Sequence, residues 1–150
     1  MIRNMMLGIA AIACVTSAPL MAKQYKDYSP TKGTWEVNAI EVDPNHIDDY
    51  LTGLRKSQVP GFEVMKKHGI IDDYHFAVRT GYSKGSPNVL IWVHFTSYAM
   101  LEPDKARDTM VENEILATFS EEEGKIAVAG YEKYRQFLDD GFWTEMVMAK

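Results

Sequence analysis

Hydrophobic and polar positions alternate in short runs along this chain, and the runs change period in a regular order. Trp35-Glu36-Val37-Asn38-Ala39-Ile40-Glu41-Val42 is rich in β-forming residues, and the pattern predicts a first strand ended by Asp43-Pro44. Asp43 and Pro44 also suit a helix start, Asp as N-cap and Pro at the first helical position, where its missing N–H costs nothing. Ile47, Tyr50, Leu51 and Leu54 then recur at helical spacing, Pro60-Gly61 interrupts the pattern, and Phe62 and Met65 resume it. A helical segment split near Pro60 and ended by Gly69 follows.

Ile71 to Thr80 predicts a second strand and Asn88 to Ser97 a third. The Gly81–Pro87 stretch between them, with two glycines and a proline, makes the pair an antiparallel hairpin. A long helical stretch begins near Asp104, with Met110, Val111, Ile115 and Leu116 on one side. Ser120-Glu121-Glu122-Glu123 forms a capping box for a further helix through Ile126, Tyr131, Tyr134, Phe137 and Leu138, ended by Gly141. Phe142 to Met148 reads as a final strand. Residues 23–33 show neither periodicity and read as a flexible leader to one domain over residues 34–150.

The order is βαββαβ. It predicts an α+β, ferredoxin-like fold: a four-stranded antiparallel sheet with its helices on one face. In the third strand Val89, Ile91, Val93 and Phe95 suit the helices, which leaves Leu90, Trp92, His94 and Thr96 on the other side. In the second, Tyr74, Phe76 and Val78 oppose His75, Ala77 and Arg79. With Asn38 added from the first strand, the uncovered face is a mixture of two histidines, an arginine, an asparagine and a tryptophan among apolar residues. So much aromatic and aliphatic surface favours covering by a second copy, sheet against sheet.

Composition changes this picture at the N-terminus. Arg3 followed by the uncharged apolar stretch Met5–Val15 and the small-residue region up to Ala22 predicts an export signal over residues 1–22, cleaved after Ala22, and a periplasmic or secreted product. Eleven apolar residues are too few to span a bilayer as a helix, so no stable membrane insertion is expected. A second reading takes Ala11-Ile12-Ala13-Cys14 as a lipobox and leaves a lipoprotein anchored through Cys14. Cleavage after Ala22 leaves 128 residues and, by removing Arg3, turns the formal charge of −5 into −6. That balance disfavours nucleic acid and anionic lipid as partners. It also removes the single cysteine, and with it thiol chemistry, disulfides and thiolate zinc sites.

The chain resembles the dimeric α/β-barrel proteins, and more narrowly a group of small exported proteins of unknown function from Gram-negative bacteria. The resemblance covers roughly residues 33–149. It rests on Trp35-Glu36-Val37-Asn38-Ala39-Ile40, on Asp43-Pro44 opening the Tyr50/Leu51/Leu54 helix, on Gly69-Ile70-Ile71-Asp72-Asp73-Tyr74, on Val89-Leu90-Ile91-Trp92-Val93 and on the terminal segment before Lys150. It implies a homodimer whose paired sheets enclose a lumen. The wider superfamily holds cofactor-free monooxygenases, haem-degrading enzymes, dye-type peroxidases and proteins with no known activity, so membership scarcely limits function.

The ligand-binding candidates are Asn38, His75, Arg79, Trp92 and His94. His75 and His94 fall on paired strands and one face; with Glu36 or Glu145 they could hold a metal, but no HxxH, HxxxH or HxxE spacing accompanies them, and no metal is assigned. Polar lining of a wet lumen accounts for them as well. Arg79 can clamp an anion or pair with an acid across a dimer; Trp92 can stack on a planar ligand or fill a core. His46 and His68 read as solvated surface, and Glu121–Glu123 as capping. Three functions fit. The first is a non-catalytic exported dimer holding a small, partly aromatic molecule without a cofactor. The second is a cofactor-free monooxygenase with His75 or His94 as base, and the third a haem-handling protein with one histidine as axial ligand.

Overall fold

The computed structural model describes residues 22–150. The expected signal segment and Cys14 lie outside the described residues, apart from Ala22 itself. Ten regular elements follow in order: β1 (Tyr28–Pro30), β2 (Thr34–Val42), α1 (Ile47–Ser57), α2 (Val59–Lys67), β3 (Ile71–Val78), β4 (Val89–Phe95), α3 (Lys105–Thr118), α4 (Glu121–Tyr131), β5 (Arg135–Trp143) and β6 (Met146–Met148). The main sheet has four antiparallel strands in the order β3-β4-β2-β5. The class is α+β.

Residue parity decides the two faces. Ile40 and Val42 of β2 and Val89, Ile91, Val93 and Phe95 of β4 are buried beneath the helices, with Tyr50 and Leu54 of α1, Val64 of α2, Val111 of α3 and Tyr131. Each such aliphatic side chain contributes roughly 1.5–3 kcal/mol relative to an exposed one. The helices pack closely because Gly53 of α1 lies flat against the Tyr131 ring, where a Cβ would collide. The break near Pro60 is present: α1 ends at Ser57, and α2 begins at Val59 with Pro60 in its first turn. Gly69 ends α2 at φ +67°. Asp43 caps a 3₁₀ turn, Pro44–His46, that leads into α1, and Ser120 and Glu123 form the expected capping box on α4.

Two expectations fail at the C-terminal end. The last helix stops at Tyr131, and Arg135–Trp143 is strand β5, completing the hydrogen bonding of β2's second edge. Ala39 pairs with Asp139 and Ile40 with Phe137, so Leu138 is an extra, bulged residue. The bulge interrupts the period of two, and Tyr131, Tyr134, Phe137 and Leu138 are left imitating a helical stripe. The leader contributes a strand of its own. Its β1 pairs with β6 in a separate two-stranded sheet, Tyr28 opposite Met148 and Pro30 opposite Met146, so the final strand expected over Phe142–Met148 is divided between two sheets.

His46 and His68 are also not simply solvated. The His46 ring stacks on Tyr134 at 3.6 Å with Nδ1 2.8 Å from Asp49, and His68 Nε2 lies 2.7 Å from Glu114. Lys67 Nζ donates to the other oxygen of Glu114 at 2.5 Å, which ties α2 to α3. The Lys67 hydrogen bond, followed by that of His68, holds the Glu114 carboxyl below the ordinary glutamate value. A carboxyl lowered on folding stabilises fully above its unfolded value and loses that contribution as pH falls through the lowered one. Glu114→Gln is therefore expected to flatten the acid limb of the melting temperature below pH about 4.5, leaving the neutral-to-alkaline limb parallel to that of the parent.

Asn88 closes the start of the β3–β4 hairpin. Fully buried, its Oδ1 accepts from the Val42 N–H at 2.8 Å and its Nδ2 donates to the Val42 carbonyl at 2.7 Å, extending the β2–β4 ladder by a side chain. Asn88→Ala strands both backbone groups and is expected to cost about 2–4 kcal/mol, read as a lowered denaturation midpoint with unchanged slope.

Candidate functional site

The face of the sheet away from the helices is assembled in cross-strand rows. Trp35 of β2 lies beside His94 of β4, which lies beside Asp73 of β3; Val37 lies beside Trp92, then His75; Ala39 lies beside Leu90, then Ala77. On the β5 side Trp35 faces Trp143 and Val37 faces Gly141, so the middle row carries no side chain on β5 and leaves a hollow there. A concavity of about 550 Å³ opens at this place, with Trp35, Trp92 and Trp143 as its aromatic walls, Val37 and Leu90 as its floor, and His75, Thr144 and Glu145 at its edge. The chain has three tryptophans, and all three line it.

Trp35 is the centre of the aromatic cluster. Its ring stacks on His75 at 5.5 Å and 24°, lies tilted over His94 at 4.7 Å, and meets the edge of Trp92 at 6.2 Å and 68°. Each histidine has its own carboxylate. His94 Nδ1 is 2.5 Å from Asp72 Oδ1, and His75 Nε2 is 3.3 Å from Asp73 Oδ2. A second bulge makes this possible: Ile71 pairs with Phe95 and Asp73 with His94, so Asp72 is the additional residue and reaches the open face instead of pointing under the helices.

Of the residues singled out from the sequence, His75, Trp92 and His94 come together here. Asn38 does not. It pairs with Ile91 and Asp140 on the helix side, as its shared parity with the buried Ile40 requires, so its place among the uncovered residues is corrected. Arg79 follows β3 on the open side but borders a separate depression of about 270 Å³ with Ala77, Pro87, Asn88 and Leu90. Both histidines pack against Trp35. Glu36 pairs with Val93 and Phe142 on the helix side, whereas Glu145 sits at the rim of the concavity. Among the described residues no three His, Cys, Asp or Glu side chains converge on a metal-sized site.

Trp35, Trp143, Asp72 and Asp73 were not among the expected residues. Trp35 was legible, since its parity opposes that of Ile40. Trp143 falls in the final strand expected over Phe142–Met148, but its pairing with Trp35 needs the register of β5, and Asp72 is displaced by a bulge that the period of two cannot show.

The two imidazoles differ in what they can do. His94 is largely covered; Asp72 takes its Nδ1, and its Nε2 edge lies against Gly33, whose φ is +85°. A Cβ at Gly33 would run into the Phe95 carbonyl oxygen and come within 2.8 Å of His94 Cε1 and Nε2. His75 is half-exposed beside the concavity, with Asp73 orienting its ring. A scan against protein-family models and a search of curated proteins return no match to this chain.

Gly33→Ala is expected to cost about 1–3 kcal/mol from the left-handed backbone conformation and the collision together. Its readout is a displaced His94 ring resonance, with the His68 resonance, in the α2–α3 contact, unmoved.

Proposed function

We propose that this is an exported, ferredoxin-like protein that pairs its open sheet face with that of a second copy, as in a dimeric α/β barrel, and holds a small planar molecule in the enclosed space. The observation that carries this reading is the tryptophan-lined concavity on the face the helices leave uncovered. Trp92 and Trp143 keep 39% and 63% of their surface exposed, an apolar area that a second protomer or a ligand would take out of water.

Charge supports self-pairing. A two-fold axis parallel to the strands sets β3 of one protomer over β5 of the other, and the open side carries Arg79 beyond the end of β3 and Asp139 on β5. Export draws support from the leader. The Lys23 backbone N–H donates to Asp27 Oδ2 at 2.6 Å, so cleavage after Ala22 would leave an ammonium facing an existing carboxylate, ahead of β1.

A second reading, a cofactor-free oxygenase, is favoured by one feature, the half-exposed His75 with Asp73 behind it at the edge of the concavity. Haem ligation draws less support, because the Nε2 edge of His94 is covered by Gly33.

The chain from Lys23 onward is expected to sediment as a dimer, and Leu90→Asp, on the open face, as a monomer with unchanged far-UV circular dichroism. 2-Naphthol, added to the dimer, is expected to shift the indole N–H resonances of the tryptophans. A wild-type monomer at all accessible concentrations, or indole resonances unmoved by the probe, overturns the reading. Oxygen uptake with 2-naphthol or a quinol replaces it by the second.

A further inference from the structure

We infer that the tryptophan-lined concavity selects a planar quaternary nitrogen cation over a neutral or anionic ligand of the same size, an inference that rests on the proposed binding role of the open face. Three features of the lining point there. The first is the exposed indoles: Trp35 is engaged by His75 and His94, but Trp92 and Trp143 are exposed in the lining, with Trp143 Nε1 beside Gly141. An indole face carries the negative lobe of the ring quadrupole and attracts a cation held over it, most strongly where water is excluded.

The second feature is the charge on the lining. Among the described residues no lysine or arginine borders the concavity, and Glu145 is its one acidic member. Arg79, the one guanidinium on this side of β3, belongs to the other depression. The third is His75, the other ionisable group of the lining among the described residues, whose Nε2 lies 3.3 Å from Asp73 Oδ2 and so is turned to a carboxylate of the protein itself. An anion entering this space would give up its water and find one carboxylate, the two exposed indoles and, among the described residues of the lining, no lysine or arginine. A neutral planar molecule would gain buried area alone. A quaternary cation gains that area, the ring faces and the Glu145 carboxylate, and its weak hydration makes transfer from water less costly than for an ammonium.

Glu145 is suited to a removable role. Its backbone carbonyl accepts from the Thr31 N–H at 2.8 Å and from the Thr31 hydroxyl at 3.2 Å, and these bonds hold the segment between β5 and β6 whatever the side chain. Glu145→Gln thus changes the charge without releasing the wall.

The test uses three bicyclic probes substituted at the same ring position on the protein from Lys23 onward: N-methylisoquinolinium, 2-naphthol and 2-naphthoate, each titrated against the indole N–H resonances. The expected result is that the cation binds about tenfold more tightly than 2-naphthol, and 2-naphthoate more weakly than either. Glu145→Gln is expected to remove a several-fold part of the cation's advantage while leaving 2-naphthol unchanged, and Trp92→Ala to weaken the cation most. Naphthoate binding as well as the cation, or a cation preference untouched by both substitutions, overturns the inference while 2-naphthol binding leaves the binding role standing. If none of the three probes moves an indole resonance, the binding role falls and the inference with it.

Discussion

The molecule is organised by the alternation of side chains along β2, one of the two strands hydrogen-bonded on both edges within the main sheet. Even-numbered residues from Ile40 onward go under the helices and become core, and odd-numbered residues from Trp35 onward cannot. Because β4 pairs with β2 throughout, and β5 does so on either side of its bulge at Leu138, that one parity fixes which side of their paired residues faces the helices. With the four helices on one side, the apolar residues of opposite parity have no covering layer among the described residues. The concavity, the cluster around Trp35 and the proposed pairing of two sheets are all responses to this one-sided covering.

Where the alternation holds, it could be read directly. The strand-helix order, the break at Pro60, the capping box at Ser120 and the grouping of His75, Trp92 and His94 on one face all come from local periods and capping chemistry that need no tertiary information. Asn38 shows that the rule was sufficient even where it was misapplied, since its parity is that of Ile40. What could not be read sits at the two bulges. At Leu138 an extra residue disguised β5 as the end of a helix, and the cost of pairing β2's second edge, which decides the matter, is invisible in the local sequence. At Asp72 an extra residue brings a second carboxylate to the open face and gives His94 its partner.

The leader shows a related limit. Tyr28-Ser29-Pro30 is too short to carry a period, and its strand exists because Met146-Val147-Met148 lies alongside. Contacts between distant parts of the chain determine such a strand, and Pro30, lacking an N–H, fits it at the strand's end. Its consequence reaches the concavity: Thr31 holds the Glu145 backbone, so the N-terminal ribbon positions one edge of that space.

The histidines are the first residues to attract a mechanism, and the contacts around them show why binding is the reading the geometry supports better than catalysis. General base chemistry needs a ring nitrogen that is free to meet substrate. His94 has one nitrogen on Asp72 and the other against the chain at Gly33. His75 turns Nε2 to Asp73 and stacks its ring on Trp35, leaving Nδ1 as the only nitrogen of the two residues without a partner or a covering group among the described residues. Three of four imidazole nitrogens are thus used to hold the rings still. Rings fixed in that way keep Trp35 in place, and a fixed Trp35 gives the concavity a preformed wall, which lowers the ordering cost of taking up a ligand.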